Sequence, residues 1–215
     1  MLSSNSSLIT SIKAIAINTL FIYSPFAFAG IQGSVHDLSA RGITNEICNV
    51  CHTPHAKIDS APAPLWNHEV TTTVFTLYDS PTMDFPAEPL GPGSPSRLCL
   101  SCHDGTISID AFGGNPGTPD NKLTGEFSKG TDLRDDHPVG MLWKHQTLDD
   151  LTSAFCSNCH DISNPNVPYG KELRFFNGKV ECPSCHDVHN NQVMDVKLLR
   201  KPLAGSQLCL HCHAK

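Results

Sequence analysis

The run Cys182-Pro183-Ser184-Cys185-His186-Asp187-Val188-His189 is the stretch on which the fold turns. Two thiols three residues apart, followed at once by an imidazole, suit one chemistry above others. The thiols add to the two vinyl arms of a porphyrin as thioethers, and the histidine comes under the ring as proximal ligand of its iron. The same spacing recurs at Cys48, Cys51 and His52, at Cys99, Cys102 and His103, at Cys156, Cys159 and His160, and at Cys209, Cys212 and His213. All 10 cysteines are used in this way. With 12 histidines in 215 residues, chance places one after a given cysteine about once in 18 trials, so five together arise by accident roughly once in two million. The spacing implies five covalently attached c-type haems.

Two other uses of paired cysteines fit less well. Disulfides between residues only three apart bridge poorly and demand no histidine. Zinc ribbons take CxxC units two at a time, and five units is an odd number.

Residues 1–29 read as an export signal. An apolar run from Ile12 to Phe28 ends in Ala27-Phe28-Ala29, an A-x-A cleavage pattern that starts the mature chain at Gly30. The charged leader end is weak, with Lys13 alone, so the competing reading is an uncleaved anchor. No later stretch is long and apolar enough to span a bilayer. Export agrees with the chemistry, since bacterial c-type haem is attached outside the cytoplasmic membrane. The expected location is therefore extracellular or cell-surface, with the periplasm as the alternative.

Composition says how residues 30–215 must be built. Five haems share about 186 residues, and aromatic residues make up only 7% of the chain, so a conventional protein core would be thin. The haems themselves must supply the core, and the chain is expected to collapse without them. The expected fold class is mostly irregular with small α-helices and minor β, a multihaem cytochrome c fold organised around its haems. Loss of Lys13 with the leader takes the net charge from −6 to −7. That balance, with no basic run, argues against nucleic acid as a partner.

The motifs divide residues 30–215 unevenly. Residues 30–146 hold two widely spaced haem sites with long loops, and 147–215 hold a cluster of three. Each motif is expected to open or sit on a helical turn, which presents both sulfurs and the imidazole to one side. Glu69–Tyr78, β-branched and aromatic, reads as a strand. Pro81–Ser96 and Gly113–Gly130 are Pro- and Gly-rich and read as irregular loops, with a turn at 113–117. Short helices are expected at Thr147–Cys156 and Val193–Leu199.

The spare histidines decide what sort of haem protein this is. An iron closed by a second axial ligand carries electrons, whereas an open position permits catalysis. Seven histidines lie outside the proximal set: His36, His55, His68, His137, His145, His189 and His211. They are enough for five distal positions, so the chain reads as an electron-transfer protein and not an enzyme. Met83, Met141 and Met194 are alternative ligands. His55 and His189 each follow a proximal ligand by three residues, too closely to reach the far side of the same haem, so each must serve a different one. His36 precedes the first motif and is placed to reach its haem. His137 lies in an acidic, proline-restricted turn, and either His145 or His68 completes the fifth haem. His211 lies inside its own CxxC loop and reads as a surface residue.

The segments GSVHDLS, CNVCHTPH, PLWNHEVTTTVF, CLSCHDG, DHPVG, ECPSCHDVHN and LCLHCH resemble the OmcE-type outer-surface multihaem cytochromes, whose members polymerise into extracellular nanowires. The resemblance covers most of Gly33–Lys215. It implies bis-histidine haems stacked in a continuous chain, with one axial histidine donated by an adjacent subunit. The family pattern has four haem motifs, matched here at 48, 99, 182 and 209. Cys156–His160 is an addition, and His68 stands where another residue is expected, which makes it a candidate for the added haem.

Three function classes follow. The first is a homopolymeric extracellular electron conduit, in which His55 of one subunit ligates the last haem of the next. The second is a soluble periplasmic shuttle between redox-partner cytochromes. The third is a multihaem reductase, for which no variant motif marks a specialised haem. In the first two, the partners are redox cytochromes and, outside the cell, terminal electron acceptors.

Overall fold

The computed structural model describes residues 30–55, 62–83, 85–143, 159–161, 173–189 and 198–213. The leader at 1–29, the expected helix at Thr147–Cys156, His145, Cys156 and Met194 lie outside the described residues. So do the side chains of Cys159, His160 and His211.

Regular structure is sparse and concentrates at the cysteine motifs. Helix α1, Ser96–His103, contains Cys99, Cys102 and His103 entire. Helix α2 is the single turn Cys182–Cys185. A 3-10 turn covers Cys209–His211. The amide of His52 donates to Cys48 O at 2.8 Å, that of His186 to Cys182 O at 3.1 Å and that of His213 to Cys209 O at 2.9 Å. These bonds span four residues, the period of a helical turn. Positions i, i+3 and i+4 lie on one helical face, so the turn itself gathers two sulfurs and one imidazole.

The third motif departs from this pattern. Its second half, Cys159–Asp161, is a strand, β1, paired in parallel with β2, Leu173–Phe175, in the register Cys159 to Leu173 and Asp161 to Phe175. A helical turn was expected at this motif; residues 156–158 lie outside the described residues, and the part that is described is extended.

Glu69–Tyr78 also differs from expectation. It runs extended, but within it only a lone bridge, Thr76 to Asp132, pairs it with another segment. The reason is Arg97 on α1. Its guanidinium donates to the carbonyls of Thr71 and, at 3.0 Å, Thr73, while its Nε donates to Leu90 O at 2.6 Å. A side chain occupies the edge where a second strand would pair. The expected helix at Val193–Leu199 is described only at its end, where Leu198 takes φ 51° and Leu199 bridges His186, neither of which is helical.

The apolar core is small and divided. Leu90, Leu100 and Leu133 pack with Phe75, Leu77 and Val139 behind α1. Leu173, Phe175 and Val180 pack with Met141, Trp143, Leu208 and Cys212, and the Trp143 ring stacks on Phe175 at 5.2 Å. Met141, an alternative axial ligand by sequence, belongs to this second cluster. Gly140 joins the two regions: with φ +78° and Glu88 O only 2.6 Å from where a Cβ would stand, the position tolerates no side chain.

Residues 30–146 and 147–215 meet at the cysteine motifs. Helix α1, from the first, meets α2, from the second, through shared hydrogen bonds. Ser96 Oγ accepts from the Cys182 amide at 2.8 Å and donates to the Glu181 carboxylate. Ser94 Oγ donates to the same oxygen at 2.7 Å. The other end of α2 is clamped by Arg200, which donates to Pro183 O at 2.9 Å and pairs with Asp187 at 2.6 Å. Among the described residues no helix is long and apolar enough to cross a membrane.

Candidate functional site

The eight described motif cysteines, at 48, 51, 99, 102, 182, 185, 209 and 212, are free thiols. They run through the fold in a row. Burial pushes the Cys102 thiol up to about 12, helped by the nearby Cys51. Cys99 shares a hydrogen bond with Cys182, which raises the Cys99 thiol as donor and lowers Cys182 as acceptor. Burial pushes Cys212 up to about 11, helped by Cys185 and Cys209. First, second, fourth and fifth motifs therefore follow one another as neighbours.

Three of the motif histidines each face a histidine from outside the motifs. The ring centres of His52 and His189 are 6.2 Å apart, those of His103 and His36 6.0 Å, and those of His213 and His137 6.4 Å. A metal–imidazole bond is about 2 Å and the ring centre lies about 1 Å beyond the nitrogen, so two imidazoles on opposite sides of one metal ion stand about 6 Å apart. All three pairs have that spacing.

Tautomers can be read from hydrogen bonds. His52 Nδ1 lies 2.9 Å from Pro64 O, His103 Nδ1 2.7 Å from Phe127 O and His137 Nδ1 3.1 Å from Pro138 O. A carbonyl oxygen only accepts, so Nδ1 carries the proton in each and Nε2 keeps its lone pair for a metal. Burial pulls His36 down to about 4, with the charges of His103, Arg41 and His186 adding to the effect. His36 is thus neutral at ordinary pH, the form that ligates iron.

The placement of His36 departs from expectation, and the other candidates take the following positions. His36 lies across from His103 of the second motif, not beside the first motif that it precedes. His189, expected to serve a haem other than that of His186, faces His52 of the first motif. His213 of the last motif stands across from His137 of the same chain. His68 is buried, with Nδ1 2.8 Å from Glu69 O and Nε2 between Ser108 O at 3.0 Å and Cys102 Sγ of the second motif at 3.5 Å. The ring ties the chain around 68 to the loop around 108 and lies against a cysteine of that motif. His55 is exposed, with its backbone tied to the Thr53 hydroxyl. The side chain of His160 and all of His145 lie outside the described residues.

The residues present fit a c-type haem on several counts: free thiols beside an imidazole, Nε2 lone pairs, and paired rings at trans-ligand spacing. Two further nitrogens point the same way. His36 Nδ1 and Trp66 Nε1 are buried with no hydrogen-bond partner among the described residues, and Trp66 packs edge-on against His52 at 6.1 Å. Buried N–H groups are seldom left unpaired, and a haem with its carboxylate arms offers acceptors beside that ring. Among the described residues no group of three or more His, Cys, Asp or Glu side chains is placed to hold a metal ion. A haem iron asks only two ligands of the protein, because the porphyrin supplies the rest.

Sequence reasoning missed the residues that hold the site together. Glu181 and the pair Asp187–Arg200 brace α2 from its two ends, and the carbonyls of Pro64 and Phe127 orient the rings of His52 and His103. Only Glu181 left a local sign, since it forms a capping box with Ser184 three residues on. No protein-family model matches the chain, and comparison with curated proteins finds no relative.

Proposed function

We propose that the chain is an exported pentahaem c-type cytochrome that conducts electrons through irons closed on both sides by histidine. The observation that carries this reading is the facing of His36 with His103, His189 with His52 and His137 with His213 at 6.0–6.4 Å. Bound haem supplies a one-electron iron couple. Cys48 and Cys51, Cys99 and Cys102, Cys182 and Cys185, and Cys209 and Cys212 would hold four haems as thioethers, and Cys156 and Cys159 a fifth. The paired imidazoles would exclude small molecules from the iron, which separates conduction from catalysis. The row of motifs sets the order of transfer, and the exposed His137 and His213 put one end where a redox partner can reach it. Electron paramagnetic resonance of the oxidised, haem-loaded protein tests the reading: low-spin signals alone are expected, and a full equivalent of high-spin ferric haem counts against it.

For the assembly we propose a homopolymer at the cell surface, with the exposed His55 donated to an iron of the adjacent subunit. The resemblance to nanowire cytochromes and the exposure of His55 support it. One observation favours the soluble periplasmic shuttle instead: His137 stands 6.4 Å from His213 within the chain, so a monomer would satisfy its own terminal iron.

A further inference from the structure

Glu181 is a carboxylate 3% exposed at the junction of the two motif helices. Its Oε2 accepts from Ser94 Oγ, on the segment leading into α1, and from Ser96 Oγ, the first residue of α1. Ser96 Oγ in turn accepts from the Cys182 amide, so its own proton is free for Glu181. Converging donors are the pattern of an ionised carboxylate. Among the described residues no Lys, Arg or His pairs with it. A buried carboxylate without a cation is costly, and the chain builds this one against the sulfurs of two different motifs. The charge reaches both: it adds to the raising of Cys99, after the Cys182 hydrogen bond and burial, and opposes the lowering of Cys182. The nearest charges on the far side of α2, Asp187 and Arg200, are taken up with each other.

We propose that Glu181 is a fixed negative charge set between the haem sites of the second and fourth motifs, and that it lowers the reduction potential of the haems bound there. This inference rests on the haem reading proposed above. Oxidised iron carries one more positive charge than reduced iron, so a buried carboxylate beside it favours the oxidised state, and more strongly than in water. The two haems then form the most reducing step of the row, and the serines of α1 and its approach hold the charge there.

The test is a potentiometric titration of mature, haem-loaded full chain, followed by the haem absorbance, for Glu181→Gln and Glu181→Asp. In Glu181→Gln two of the five haems should rise in potential, each by about a tenfold shift in the oxidised-to-reduced ratio, or roughly 59 mV for a one-electron couple. Glu181→Asp keeps the charge and should leave both near their native values. Five low-spin haems with unchanged potentials in Glu181→Gln overturn the inference and leave the electron-transfer reading intact. Equal shifts in both variants overturn it too, because packing and not charge would then be the cause. Fewer than five haems in the unsubstituted protein defeats the underlying reading. A measurement with no change at position 181 stands beside these. The low-spin signal lost in His36→Ala identifies the haem on Cys99 and Cys102, and in unsubstituted protein that signal should titrate among the two lowest potentials. Its appearance among the highest overturns the inference.

Discussion

His36 and His103 face each other with ring centres 6.0 Å apart and planes tilted by 53°, although the whole first cysteine motif lies between them in the chain. The pairing crosses motifs: a histidine that precedes the first motif stands across from the histidine of the second. His36→Ala should therefore give one five-coordinate, high-spin haem, attached at Cys99 and Cys102, with all covalent haems retained. Resonance Raman or paramagnetic resonance reads the spin state. An opened haem at Cys48 and Cys51 would show that the rings pair by sequence order instead.

The complementary case is His189, which faces His52 at 6.2 Å. His189→Ala should open the haem held by Cys48 and Cys51 and leave the one at Cys182 and Cys185 low-spin. If the second of these were the one to change, the facing of His189 and His52 would have no part in ligation.

The motifs themselves were legible in the sequence as a fixed spacing of cysteines and histidine, which a helical turn delivers to one face. The facing histidine pairs were not legible. His36 with His103 and His137 with His213 depend on how distant loops pack, which local spacing does not encode. His68 shows the same dependence: a buried histidine is a ligand or a brace according to what its nitrogens meet, and here they meet the carbonyls of Glu69 and Ser108 and the sulfur of Cys102. Glu69–Tyr78 has the residues of a strand, but pairing needs a free edge, and the Arg97 guanidinium occupies it. The third motif read as a helical turn like the others, yet Cys159–Asp161 is drawn out beside Leu173–Phe175.

Arg200 and Asp187 form an ion pair with side chains only 7% and 20% exposed. Arg200→Met leaves the carboxylate mostly buried without its partner, at a cost of about 3 kcal/mol. The guanidinium chloride midpoint of the haem-loaded protein should fall accordingly. Arg134→Met, which breaks the exposed pair with Asp132, should leave the midpoint where it is. Equal effects of the two would mean that Arg200 does not brace α2.

Filament and shuttle part at His55. If His55 bridges subunits, native protein forms filaments by electron microscopy, since a head-to-tail contact that does not close into a ring propagates. His55→Ala should then yield monomers with every covalent haem in place and one haem weakly ligated. Native protein that stays monomeric with all haems low-spin selects the shuttle. Filaments unchanged in His55→Ala would assign the bridge to another group.

The central claim is that five CxxCH sites each hold a haem. Intact mass of the exported, matured protein, with a pyridine haemochrome assay on the same sample, counts them directly. A chain beginning at Gly30 and carrying five covalent haems is the predicted result, and four or fewer in correctly matured material contradicts it.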